Sequence, residues 1–209
     1  MTTNNRFQNG RTRLAFLATI SDLHRQPVTY DLACLRDLVA QLAPDLLCAE
    51  ITREMWEGED LSQAALEVRE ALAPVVAATD VVLVPVAPDN GRFADFAPES
   101  GWRQGLVQAI DKALQWGQRQ ANTPEAVNGM WFEAFCHPLC LLTERWWTAE
   151  MRRAWHEQNK QIAVNIIQTV RRDPGRRVLV AVQCQRIHKL EPLLKQYQDE
   201  IDFVDYWDL

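Results

Sequence analysis

Residues 14–24 read Leu14-Ala15-Phe16-Leu17-Ala18-Thr19-Ile20-Ser21-Asp22-Leu23-His24. The short apolar run with a β-branched end predicts a buried strand over 14–20. It stops at a polar corner that carries a carboxylate and an imidazole two residues apart. In an α/β protein the carboxyl end of a parallel strand is where ligands and metals bind, because the loops converge there over the sheet. Asp22 and His24 could aim two ligand atoms at one divalent cation from such a corner. The same residues also suit a plainer role, with Asp22 capping the next turn and His24 solvated in a loop.

The rest of the chain repeats this grammar. Leu32, Leu35, Leu38, Val39 and Leu42 have the spacing of an amphipathic helix over 30–42. Pro44-Asp45 ends it, and 46–49 forms a second short buried strand closed by Glu50. A helix follows over 61–78, which Pro74 kinks or splits. Residues 81–86 are a near-continuous β-branched run, as in a central parallel strand covered on both faces. Pro88-Asp89-Asn90-Gly91 is a turn. Helices are expected over 101–119, once or twice within 124–142, and over 148–170. Pro174-Gly175 breaks the last, a strand runs over 177–182, and a short helix (190–198) and an edge strand (203–206) finish the chain. This alternation predicts a three-layer α/β sandwich, a mostly parallel central sheet flanked by helices. One domain spans 1–209, with residues 1–12 loose.

Composition narrows the function classes. Of 209 residues, 47% are hydrophobic and 24% charged, the balance of an ordinary globular protein. A net charge of -6, with no long basic run, argues against nucleic acid as a partner. The run 14–20 is too short to span a bilayer, so no membrane partner is expected either. Five cysteines, mostly in apolar contexts, read as free thiols of a reducing compartment, which predicts a cytoplasmic protein. Of eight tryptophans, Trp131, Trp146, Trp147 and Trp155 crowd one region. They suit a core wedge, the wall of a small-molecule pocket or the interface of a homo-oligomer.

Polar residues collect after each strand: Ser21, Asp22 and His24; Glu50, then Arg53, Glu54 and Glu57; Asp89 and Asn90; and Gln183, Gln185, Arg186 and His188. Histidines and carboxylates on one sheet edge suit a divalent metal ion or an acid–base pair acting on water. Glu50 stands out, because a carboxylate directly after Leu46-Leu47-Cys48-Ala49 is costly without a partner. Cys136-His137-Pro138-Leu139-Cys140 lacks a second ligand pair to close a zinc site and reads as a buried helical turn. Neither a glycine-rich phosphate loop nor a Gly-x-Ser-x-Gly elbow is present.

Two family resemblances follow from these residues. Ile20-Ser21-Asp22-Leu23-His24 resembles the first motif of calcineurin-like metallophosphoesterases, where Asp-x-His binds one of two metals. Ala49-Glu50 stands where that family has Gly-Asp, and Gln185-Arg186-Ile187-His188 lacks its closing Gly-His-x-His. A broader likeness joins Ala18-Thr19 with His24, Pro44-Asp45, the strand ending in Glu50, Gln158-Asn159 on the long helix, and Gln185-Arg186-Ile187-His188. In these the chain resembles a divergent member of the TraB/Tiki superfamily, which includes erythromycin-esterase-like and ChaN-like proteins. That resemblance implies a hydrolase-type site of His24, Glu50, Asn159 and His188. A metal, if present, would draw on Asp22, His24, Glu50 and His188. The metallophosphoesterase reading rests instead on Asp22 and His24 alone, and a third reading keeps the sheet as a non-catalytic ligand-binding or interaction protein.

Overall fold

Side-chain alternation along the strands divides the interior into two layers. The computed structural model describes residues 10–26, 28–88 and 102–209. Its strands are β1 (Thr12–Thr19), β2 (Leu46–Ala49), β3 (Val82–Pro85), β4 (Arg177–Gln183) and β5 (Ile201–Phe203). They form one parallel sheet in the order β3-β2-β4-β1-β5. Helices are α1 (Leu32–Leu42), α2 (Arg53–Glu57), α3 (Ala73–Ala78), α4 (Trp102–Gln120), α5 (Pro124–Val127), α6 (Met130–Trp146), α7 (Ala149–Arg172) and α8 (Cys184–Leu194).

Ala15, Leu17, Leu47, Leu83, Leu179 and Ala181 point to one face, where Leu35, Leu38 and Val39 of α1 and Phe132 and Cys136 of α6 meet them. Leu14, Leu46, Cys48, Val84, Val178, Val180 and Val182 point to the other, against Ile162, Ile166 and Ile167 of α7 and Leu190 and Leu194 of α8. Each fully buried side chain of this kind contributes about 1.5–3 kcal/mol. The three-layer α/β sandwich is therefore the observed architecture. The order in which the chain adds strands reverses between β1 and β4. The chain leaving β1 packs α1 on one face, and the chain leaving β4 packs α8 on the other. A crevice at the carboxyl ends of those strands is the expected ligand position.

Several boundaries differ from expectation. The edge strand is Ile201–Phe203 rather than 203–206, and Tyr206–Asp208 is a 3-10 turn. The helix expected at 190–198 begins at Cys184, directly after β4. Gln185, Arg186 and His188 are thus helical, because Arg186, Leu190 and Leu194 share one buried stripe at i, i+4 and i+8. Pro74 does distort its helix, through a π turn over Val68–Leu72 just before it. Pro74 has no N–H for the carbonyl of Glu70, and the Ala73 N–H reaches back to Val68 instead. Asp89, Asn90 and Gly91 lie outside the described residues, as do most of the residues expected to be loose at the amino end. No helix of the described residues is long and apolar enough to cross a membrane.

Candidate functional site

The corner after β1 is built around its own backbone. Ser21 adopts a φ of 52°, a left-handed conformation uncommon outside glycine, and starts a 3-10 turn over Ser21–Arg25. His24 is folded under that turn and is buried. Its Nε2 accepts a hydrogen bond from the Ile20 N–H at 3.2 Å, which leaves Nδ1 to donate to the Tyr30 carbonyl at 2.8 Å. Burial lowers the His24 pKa, against the pull of the Tyr30 carbonyl and Asp31. The ring is therefore neutral, with both nitrogens occupied, and it presents no lone pair to a cation. Asp22 is exposed on the outer side of the same turn.

At the ends of β2 and β4 the side chains meet one another instead. The Arg186 guanidinium donates from Nε to Glu50 Oε1 at 2.5 Å, from Nη1 to Asn159 Oδ1 at 3.1 Å and from Nη2 to Gln158 Oε1 at 3.4 Å. Its Cζ lies over the Trp155 ring, 4.1 Å from the ring centre. Asn159 in turn donates to the Trp155 carbonyl at 2.7 Å, fixing which side of its amide faces Arg186. The Gln183 N–H points at Glu50 Oε2 at 3.4 Å. Both charged partners are deeply buried, Arg186 being 1% and Glu50 4% exposed. Burial pushes the Glu50 carboxyl up, and Arg186 opposes it.

A second buried acid lies alongside. Glu67 sits at the start of the π turn and accepts the Thr19 hydroxyl at 2.7 Å through Oε1, while its buried Oε2 has no hydrogen-bond partner among the described residues. Burial raises its pKa, and its field also pushes Glu50 upward. Sequence reasoning missed Glu67 because it sits within an amphipathic helical pattern, 48 residues from its partner.

Above this floor opens a cleft of about 270 Å³. Arg186, Gln183 and Gln185 form its base, Trp147, Trp155, Thr143 and Glu144 one wall, and Asp111 of α4 part of the other. Trp147 and Trp155 meet edge to face with ring centres 5.7 Å apart. The crowded tryptophans therefore divide: Trp147 and Trp155 wall the cleft, whereas Trp131 is 87% exposed.

His188 belongs elsewhere. It faces Glu144 at 3.7 Å, longer than a hydrogen bond, and its ring lies 4.7 Å from that of His137. Lys189 holds the other oxygen of Glu144 at 2.8 Å. Burial pushes the Glu144 carboxyl up, but His188 and Lys189 outweigh it and leave it below the usual range.

Of the residues named from sequence, Glu50 and Asn159 are joined, with Arg186 as the link. His24 and His188 each serve a separate set of partners. The donors proposed for a metal do not fit one: His24 is closed by backbone, Glu50 faces a guanidinium and Asp22 stands outside the buried cluster. Among the described residues no group of three or more His, Cys, Asp or Glu is arranged to hold a metal ion. No family model, no curated protein and no solved structure matches the chain.

Proposed function

We propose that the chain binds a small, planar, nitrogen-bearing molecule in the cleft over Arg186. The observation that carries this reading is the buried Arg186–Glu50 pair, braced by Asn159, beneath an open cleft at the carboxyl end of β4. A buried ion pair is a poor device for stability, since apolar residues of equal size do as well or better. Perturbed, paired charges in a crevice mark functional sites more often than chance. The walls indicate the ligand's chemistry. Two indoles offer flat apolar contact, while Glu144 and Asp111 accept from N–H donors. Arg186 is engaged by Glu50, Asn159 and Gln158, so its role is to shape and rigidify the base. The volume suits a compound of about nucleobase size.

Tryptophan fluorescence and thermal shift with adenine, cytosine and tryptamine test the reading, with benzoate and inorganic phosphate as anionic controls. Saturable quenching by at least one amine, lost in Trp147→Ala, is the expected result. Preference for the anions, or undiminished binding in Trp147→Ala, would overturn it.

A hydrolytic reading draws on a different observation, the unpartnered Oε2 of Glu67 beside Glu50. Two neighbouring buried carboxyl groups can divide acid and base roles toward a water molecule. Turnover of a p-nitrophenyl ester or of bis-p-nitrophenyl phosphate, abolished in Glu67→Gln, would support it. Turnover that survives the substitution would remove it.

A further inference from the structure

Three thiols meet where α6 passes the start of α8. Cys136 and Cys140 lie one turn apart on α6, and Cys184 is the first residue of α8. The Cys136 thiol lies within hydrogen-bond reach of both Cys140 and Cys184. The Gln118 amide donates to Cys184 Sγ at 3.2 Å, and the Gln185 N–H at the head of α8 is a further donor to it. Cys184 therefore gathers donors from α4, α6 and its own helix, in the positive end of that helix's dipole. It is partly exposed and lines, together with Cys136, a groove of about 650 Å³ between α6 and α8.

The other cysteines are placed differently. Cys48 is buried in the sheet, where desolvation pushes its thiol up to about 12. Cys34 is also raised, by burial and then by Asp31. Cys184 is lowered, chiefly by the hydrogen bond from Cys136, and Cys136 is raised by its bonds to Cys140 and Cys184. Geometry sets the two sulfurs apart: Cys184 heads α8 and accepts the Gln118 amide, whereas Cys136 lies mid-helix on α6 and lines the same groove.

We infer that Cys184 and Cys136 form a peroxide-reactive modification site, with Cys184 the attacking thiolate and Cys136 the resolving thiol. The Cys184 sulfur attacks one oxygen of a hydroperoxide, the O–O bond breaks, and the departing alkoxide or hydroxide takes a proton from water. Cys184 is then a sulfenic acid, oxidised by two electrons, and the hydroperoxide is reduced to an alcohol or water. Cys136 next attacks the Cys184 sulfur; the S–S bond forms, the S–O bond breaks, and the hydroxyl leaves as water with the Cys136 proton. The product is a Cys136–Cys184 disulfide between α6 and α8.

The test is to treat the reduced full chain with hydrogen peroxide or cumene hydroperoxide and map the products by mass spectrometry. The expected result is a crosslinked peptide pair containing Cys136 and Cys184, with loss of two hydrogens from the intact chain. It should form at least tenfold faster than oxidation of Cys34 or Cys48. In Cys136→Ser the sulfenic acid should persist and be trapped by dimedone at Cys184. Oxidation of the wild-type chain that begins at Cys34, or dimedone trapping away from Cys184, would overturn the proposal. So would the absence of the Cys136–Cys184 crosslink, a wild-type measurement that depends on no variant folding.

Discussion

Two strand ends use charged side chains in opposite ways. After β1, His24 turns back and spends both ring nitrogens on the Ile20 N–H and the Tyr30 carbonyl, so the corner closes on itself. After β2 and β4, Glu50, Arg186 and Asn159 reach across to one another from separate parts of the chain, and Arg186 carries the cluster to the base of a cleft. Both corners carry polar residues after an apolar strand. What separates them is whether the side chain satisfies its own local backbone or a partner far along the chain.

Breaking the long-range corner should have the largest effect. Arg186→Met leaves the Glu50 carboxylate buried without its cation, a loss of about 3–5 kcal/mol. Urea unfolding at neutral pH measures it, and Glu50→Gln combined with Arg186→Met should recover most of the loss. Equal losses in the single and double variants would mean that the pair is not coupled, and the contrast between the corners would fall.

His24→Leu should cost less, about 2 kcal/mol, since it orphans the Ile20 N–H and the Tyr30 carbonyl at about 1 kcal/mol each, and should leave ligand binding in the cleft unchanged. Its pH signature is distinct. Because burial lowers the His24 pKa, the stability gained from the neutral ring is complete above the unfolded value of about 6.5 and declines as pH falls below it. The substituted chain should therefore show a flatter acid limb in thermal melts; an unchanged limb would show that His24 does not set it.

Glu67 titrates with the opposite sign. Its raised pKa means that the folded chain keeps a proton the unfolded chain has released. That contribution is complete below the unfolded value of about 4.3 and is lost as pH rises through the folded one. Glu67→Gln should accordingly gain on the wild type at pH 8 relative to pH 5. A gain that is the same at both pH values would place the titration elsewhere. The smallest effect belongs to Asp22→Ala, which should stay within about 0.5 kcal/mol of the wild type, as exposed substitutions usually do. A fall in any manganese-dependent hydrolysis with that variant would restore the metal reading of the first corner.

The layers of the fold were legible because apolar strand runs and helical period are local signals; four strands fall where they were read, and the short edge strand lies earlier, at Ile201–Phe203. Glu50 was legible too, since an acid after four apolar residues has to find a partner. Its partner was harder to read. Arg186 occupies a core stripe with Leu190 and Leu194, and a charged residue in that place reads as solvated until the carboxylate 136 residues away is known. His24 shows the reverse difficulty: a histidine that completes its own turn has the same local sequence as one that awaits a ligand. Glu67 gave no signal, because nothing in a helical period distinguishes an acid turned inward toward Thr19 from one turned outward.

The π turn before Pro74 has a consequence for that acid. One residue more in a helix rotates everything upstream by about 100° around the axis relative to everything downstream. Leu66, Glu67 and Val68 all lie upstream of or within the turn and are buried, whereas Val75 downstream packs against the same layer. Both stretches meet the core only because the extra residue resets the phase between them. The inward position of Glu67 is thus a matter of count as well as contact. Removing a single residue between 69 and 72 would dial the carboxyl away from Thr19 while leaving every hydrogen-bonding group of the site chemically intact.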